Sequence, residues 1–267
     1  MSIISLLSDF GNKDPYVAEM KAVILSINPQ ARIIDITHEI EKFNIRMGAY
    51  VLASAAPYFP PNTVHVAVVD PGVGTKRRPI IAETNRSLYV GPDNGLLMLA
   101  AHKEHILNVY TIDNPEYMLP HVSKTFHGRD IFAPAAAHLA LGKGPSDFGP
   151  AIHDYVFPEF AKPHASNGEL RGEILHIDDF GNIISNITSE DLKKIGLHKA
   201  NSLLVRLGNK TLTIRFCSAY GEVPADTPLA LIGSSNFLEV AVNQRSASEI
   251  FKAKVGEAFH VSGRISS

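Results

Sequence analysis

The sequence predicts an α/β N-terminal domain with a mainly parallel sheet between helices, residues 1–160, and a smaller β-rich, barrel-like C-terminal domain, residues 161–267. Three observations carry this. Continuous apolar runs alternate with helix-forming segments through residue 142, the pattern of a parallel sheet covered on both faces. From Lys143 to Gly168 the prolines 145, 150, 158 and 163 break every periodicity, so this stretch reads as the domain linker. Beyond it, short strands dominate.

The elements follow in order. Ile3–Ser8 is an apolar strand. Asp14 caps a helix with Pro15 in its first turn, which runs to about Asn28 before Pro29 stops it. Arg32–Thr37 is the second strand, a helix spans about Asn44 to Ala55, and Thr63–Asp70 is the third strand. "SLYVGPDNGLL" gives a strand, a turn and a helix start, and "GRDIFAPAAAHLALG" reads as one alanine-rich helix ended by Gly142. In the second half, strands are expected at Glu173–Asp178, Asn182–Ile187, Leu203–Leu207, Thr211–Phe216, Leu229–Ile232 and Leu238–Val242. Thr188/Asp191 and Ser246/Glu249 have the spacing of capping boxes that open two short helices.

Composition narrows the function. A net charge of −2 over 267 residues argues against a basic nucleic-acid surface. The apolar runs are too short to cross a bilayer. The N-terminal "MSIISLLSDFG" lacks a cationic leader, and the single cysteine, Cys217, fits a reducing compartment, so a cytoplasmic location is expected. The expected partner is a small molecule, with no nucleic acid and no membrane.

In open parallel α/β sheets, ligands bind beyond the carboxyl ends of the strands. The first three strands end in "SDFG", "DITH" and "VVDPGVG", so Asp9, His38 and Asp70 are expected in one crevice. Capping of a helix or turn is the alternative for each acid taken singly. "TFHGRD" sets His127 just before a helix and beside Gly128, which lets the backbone approach a ligand closely. A histidine there is a natural proton acceptor, and a capping or core role explains it as well. "HIDDFGNIISN" is either a hairpin turn or a nucleobase site in which Phe180 stacks and Asn182 reads the base edge. No metal is expected, since His102, Glu104 and His105 lack a further strong ligand. Gly72 and Gly74 do not complete a dinucleotide fingerprint, and Ser234-Ser235 lacks a nucleophile elbow.

Taken together, "SDFGNKDPYVAEMKAVI", "VVDPGVGTKRR", "YVGPDNGLL", "FHGRDIFAPAAAHLA", "IDDFGNIISNI" and "LEVAVNQRSA" resemble the S-adenosyl-L-methionine (SAM) hydrolases, also called SAM hydroxide adenosyltransferases. These are relatives of the fluorinases and chlorinases. The resemblance runs in order over nearly the whole chain. It implies a homotrimer, with substrate bound between the N-terminal domain of one subunit and the C-terminal domain of its neighbour, and no cofactor. It also implies that Asp9 holds the ribose hydroxyls and that Asp70, Arg77 and His127 handle the attacking water. Asp178 would contact the methionine amine, and Phe180 and Asn182 the adenine. Ser235 and Asn243 fall in the segment that surrounds methionine and adenine, and the fluorinase has an arginine where this chain has Ser235. A serine and a threonine of the fluorinase stand where this chain has Gly128 and Val73, and its tyrosines correspond to His127 and Asp70.

The expected reaction is therefore attack of water at C5′ of SAM, giving adenosine and L-methionine. A halogenase and a non-catalytic SAM-binding protein are the alternatives. Whether His127 or Asp70 accepts the proton stays open.

Overall fold

The computed structural model describes residues 3–263, and the chain divides into two compact units between Pro158 and Glu159. The first unit contains β1 (Ile3–Ser8), α1 (Tyr16–Ile27), β2 (Arg32–Thr37), α2 (Ile45–Ala55), β3 (Val64–Val68), β4 (Pro79–Thr84), β5 (Leu88–Pro92), α3 (Met98–Lys103), β6 (Ile106–Thr111) and α4 (Ala133–Ala140). Its sheet has the order β2-β1-β3-β5-β4-β6. The pairs β1–β2, β1–β3 and β3–β5 are parallel, and β4 runs against both β5 and β6. The sheet lies between helices, as the alternating pattern predicts.

One register pairing places the site. Ser8 at the end of β1 lies opposite Val68 at the end of β3, so the segments carrying Asp9 and Asp70 leave the sheet side by side. Ile4 and Leu6 of β1 and Val64, Val66 and Val68 of β3 are buried with Met20 and Ile24 of α1 and the alanines of α4. Small residues let α4 approach the strands closely, and burial of this apolar surface is the main favourable contribution to the unit's stability.

Several local expectations need correction. Asp14 makes no cap for α1; Pro15 occupies that position with no side-chain hydrogen bond. The alanine-rich helix is not uniform, because Gly128–Phe132 forms a π-turn before α4 begins. Pro134 explains it: without an N–H it cannot bond the Asp130 carbonyl, which instead accepts from Leu119 N at 2.9 Å. The proline-rich stretch, within which the two units divide, also packs on the first unit over its first half. Phe148 is fully buried, Thr111 N donates to Pro150 O at 3.1 Å, and Ile152 N donates to Val109 O at 2.8 Å, so the chain covers the β6 edge. Proline removes a donor but keeps its acceptor, and the ladder uses the acceptor.

The second unit contains β7 (His164–Ser166), β8 (Glu169–Ile177), β9 (Ile183–Thr188), α5 (Ser189–Lys194), β10 (Ser202–Leu207), β11 (Lys210–Cys217), β12 (Pro228–Ile232), β13 (Phe237–Val242), α6 (Ala247–Phe251) and β14 (Ala258–Gly263). Seven strands close into a barrel in the order β14-β10-β11-β12-β13-β9-β8, with β8 pairing back to β14 and β7 added outside β8. Closure removes the exposed edges that an open sheet would present. The interior holds Leu170, Ile183, Leu203, Val205, Ile214, Leu238, Val240, Phe259 and Val261. Thr188 and Asp191 form the expected reciprocal cap, and Ser246 Oγ accepts from Glu249 N at 3.2 Å. Among the described residues, no helix is long and apolar enough to cross a membrane.

Candidate active site

Asp9, Asp70 and His127 face one cavity of about 250 Å³ in the first unit, together with Phe10, Asp14, Tyr16, Lys42, Phe43, Val73, Thr125, Phe126 and Gly128. Asp9 is buried, and its Oδ2 accepts from Phe43 N at 2.9 Å. Lys42 Nζ donates to the Asp9 carbonyl. Phe43 takes φ 65°, unusual for so bulky a residue, and its ring stands exposed at the cavity. Phe10, Tyr16 and Phe126 pack edge-on or tilted at 5.1–5.8 Å between centroids and form an aromatic wall.

Arg77 joins Asp70 to His127. Its Nε lies 3.0 Å from both Asp70 oxygens, its Nη2 2.5 Å from Asp70 Oδ2, and the same Nη2 2.7 Å from His127 Nδ1. Both members of the ion pair are buried, with side chains 9% and 5% exposed. The guanidinium also lies 5.3 Å over the Phe132 ring. A guanidinium can only donate, so His127 Nδ1 accepts, and the neutral ring then carries its proton on Nε2. Burial, and next the charge of Arg77, hold the His127 pKa below its ordinary value, against the opposing charges of Asp70 and Asp130 and a hydrogen bond that the ring donates to the Ser123 backbone carbonyl.

The neighbouring arginine does something else. Arg78 donates to Asp93 from Nε at 3.0 Å and Nη2 at 2.8 Å, and to Asp154 from Nη1 at 2.7 Å. In an extended segment successive side chains face opposite ways. One arginine therefore serves the cavity and the other ties down the segment around Asp154.

Two local devices hold the reacting loops. Gly74 has φ +73°, and a Cβ there would lie 2.2 Å from the Lys124 carbonyl oxygen. The Asp70–Arg77 loop thus packs backbone to backbone against the segment leading to His127. Gly74→Ala should lower kcat at least about tenfold by forcing these loops apart, with a thermal midpoint only a few degrees lower. Steady-state kinetics beside a melting curve checks this; unchanged kcat would show that the packing is irrelevant to the site. The second device is Asp130, fully buried, which accepts from Ser123 N at 2.8 Å and pairs with Arg129 at 2.7 Å. Its burial raises the pKa, but Arg129 and Ser123 more than offset this and keep the carboxyl below its ordinary value.

His38 does not join Asp9 and Asp70. It is buried, with Nδ1 2.7 Å from Ser8 Oγ and Nε2 3.2 Å from Asp35 Oδ1, and it ties the ends of β1 and β2 together. Strand-end position alone does not say which way a side chain turns. His102 packs its ring on Phe157, and among the described residues no three His, Cys, Asp or Glu side chains gather as metal ligands would.

The second unit has a cavity of about 640 Å³ lined by Asp178, Phe180, Asn182, Tyr220, Val242, Gln244, Arg245 and Ser246. Asp178 organises its loop: Oδ1 accepts from Phe180 N at 3.0 Å and Asn182 N at 2.8 Å, and Oδ2 accepts from Asn182 Nδ2 at 2.9 Å. Gly181, at φ +80°, is required because a Cβ would fall 2.1 Å from Ser246 Oγ. The Phe180 ring is held out 80% exposed, which costs apolar hydration unless something stacks on it. Two expected residues do not line this cavity. Asn243 has its Nδ2 committed to the Val223 carbonyl at 2.8 Å, and Ser235 sits in the β12–β13 turn. Sequence reasoning did not single out Tyr220, Gln244 and Arg245, and it read Ser246 only as a helix cap; the last three adjoin β13 inside the "LEVAVNQRSA" motif, whereas Tyr220 stands in no motif.

An α/β unit that gathers carboxylates and a clamped Arg–His pair at its strand ends, followed by a barrel with an aromatic and amide cavity, defines a two-domain protein built around small-molecule pockets. Residues 4–149 match the SAM hydroxide adenosyltransferase N-terminal domain and residues 172–260 the C-terminal domain. The chain belongs to this family. It is 40% identical to the (R)-S-adenosyl-L-methionine hydrolase of Thermus thermophilus, over 96% of this chain and 98% of the relative. Identity to the enzyme of the same name from Methanocaldococcus jannaschii is 38%, over 94% and 92%. A fluorinase from Actinoplanes stands further off at 28%, over 95% of each chain. A crystal structure of a conserved protein from Thermotoga maritima superposes with a TM-score of 0.85 at 39% identity, covering 97% of this chain and 99% of that one.

Proposed function

We propose that this chain hydrolyses SAM to adenosine and L-methionine by attack of water at C5′. The observation that carries the reading is the Asp70–Arg77–His127 clamp at the cavity that also holds Asp9. The names and near-full-length identities of the hydrolase relatives support it, and those names specify the (R)-sulfonium form.

The chemistry asks little of the protein. The sulfonium makes C5′ electrophilic and leaves as a neutral thioether, so neither a general acid nor a cofactor is required. Attack by water yields a protonated alcohol, which is strongly acidic and gives its proton to a carboxylate. Asp70 faces the cavity and fits that role. In the tautomer set by Arg77, His127 carries its proton on Nε2, where the N–H also meets the Ser123 carbonyl, and from there it is a donor that helps orient the water oxygen. Arg77 fixes both groups from behind and keeps the ring neutral. Asp9 takes the ribose hydroxyls, while Asp178, Phe180 and Asn182 serve the methionine amine and the adenine. In a homotrimer the second set would come from the neighbouring subunit. The enzyme would work in the cytoplasm, where SAM is present.

The pH profile follows from the direction of the His127 shift. Because its protonated form is disfavoured, the neutral ring persists below the ordinary histidine value of 6.5. kcat/KM should therefore stay level as pH falls through 6.5 and decline only below it. An acid limb centred at or above 6.5 would contradict the neutral-donor role.

Water rather than halide is the nucleophile. Val73 and Gly128 bring no hydroxyl to the cavity, and its three carboxylates, Asp9, Asp14 and Asp70, outnumber the Lys42 and Arg77 cations near it, which disfavours an anion. Incubation of the (R) and (S) forms of SAM in high fluoride or chloride, with products separated by chromatography, tests this. Adenosine alone, formed faster from (R), is expected. A 5′-halo nucleoside as main product would make it a halogenase, and unchanged SAM a binding protein.

A further inference from the structure

One buried acid has no part in the reaction as described. Glu239 of β13 is only 6% exposed. Its Oε1 accepts from the hydroxyl of Tyr220, which lines the same cavity as Asp178. Its Oε2 lies against Gly233, where a Cβ would be 2.4 Å away, so the carboxylate sits beneath the β12–β13 turn that carries Ser235. Its register neighbours are Leu231 on β12 and Ile184 on β9, both apolar. Its link to the cavity is Tyr220, which lines it together with Asp178; the negative charge of Asp178 acts on Glu239, and Arg245 at the cavity wall pairs with Asp226 at 3.4 Å instead. Among the described residues, neither Glu239 nor Asp178 has a lysine or arginine partner.

A buried carboxyl in the field of a second carboxylate, bonded through Tyr220 to the cavity wall and with no cationic partner, is a position of unmet charge. We propose that Glu239 is the second acid, beside Asp178, of the subsite that takes the α-ammonium of the substrate; this rests on the SAM reading above. In the free protein Glu239 holds its proton more tightly than an ordinary glutamate, through burial first and the charge of Asp178 next, with Tyr220 opposing. An arriving ammonium reverses that balance. Glu239 ionises, its proton goes to solvent, and the ligand cation replaces it. Ligands with an α-amino group therefore release a proton on binding and bind more tightly as pH rises through the Glu239 titration, whereas ligands without one do neither.

The test uses two unreactive thioethers that differ in their amino-acid end, S-adenosyl-L-homocysteine and 5′-methylthioadenosine. Calorimetry between pH 5 and 7, in buffers of different ionisation heat, reads the protons released. The intact protein should release a substantial fraction of a proton with S-adenosyl-L-homocysteine and none with 5′-methylthioadenosine. Glu239→Gln should abolish the release and weaken S-adenosyl-L-homocysteine about tenfold while sparing the other ligand. Tyr220→Phe should retain the release. Equal release with both ligands in the intact protein, or release that survives in Glu239→Gln, would overturn the proposal. So would equal weakening of both ligands, which would reduce Glu239 to a prop for Tyr220. If neither thioether binds the intact protein, the SAM reading fails and takes this proposal with it.

Discussion

Arg77→Lys should lower kcat by about 10³-fold, whereas Arg78→Lys should leave it within a factor of about two. The two residues are adjacent and chemically identical, so the contrast isolates position. Arg77 reaches Asp70 with two nitrogens and His127 with one of the same two, a fork that a lysine ammonium cannot reproduce. Loss of that fork frees both groups that face the cavity. Lysine is the better probe than alanine, because stripping the cation from the buried Asp70 would cost about 3–5 kcal/mol and could unfold the unit. Arg78 pairs outside the cavity with Asp93 and Asp154, so its replacement should register in thermal stability rather than in turnover. Initial rates and melting curves for both variants decide the matter. A full loss in Arg78→Lys with activity kept in Arg77→Lys would reverse the roles assigned to the loop.

Asp70→Asn carries the second large effect, a fall in kcat of about 10²–10⁴-fold with KM little changed. The amide is nearly isosteric and still accepts from Arg77, but it cannot take the proton from the water that has attacked C5′. His127→Gln, which keeps a hydrogen-bonding side chain, should cost less, about 10–10²-fold, because the histidine orients the water and does not receive its proton. The ordering of the two variants is the discriminating result. If His127→Gln were the more damaging, the proton would pass to the histidine, and the tautomer fixed by Arg77 would have to change during turnover.

The fold was legible because burial wrote it plainly. β1 and β2 are Ile3–Ser8 and Arg32–Thr37 in both the sequence reading and the structure, β1 as a buried apolar run and β2, a largely exposed edge strand, through its β-branched residues after Pro29. What escaped was set by partners distant in sequence. The strands β6 and β14 are short and half polar, and only pairing with β4 in one case and with β8 and β10 in the other makes them strands. The π-turn at Gly128–Phe132 depends on where the Asp130 carbonyl finds its donor. In the site, Asp9, Asp70 and His127 could be named from strand ends and a glycine, yet the same logic included His38, whose ring turns to Ser8. Glu239 lies inside the "LEVAVNQRSA" motif and Tyr220 in none, and their pairing left no sequence signal, because a buried pair between β13 and a turn follows from barrel closure and not from spacing.

The central claim is that water attacks C5′ of SAM at the Asp70–Arg77–His127 cavity. Its most direct test is turnover in ¹⁸O-labelled water, with the adenosine and methionine quantified and the nucleoside analysed by mass spectrometry. Equal amounts of the two products, with one labelled oxygen at the 5′ position of adenosine, is the result predicted. Methylthioadenosine or S-adenosyl-L-homocysteine as the product, or adenosine without the label, would place the chemistry at another bond and contradict the account.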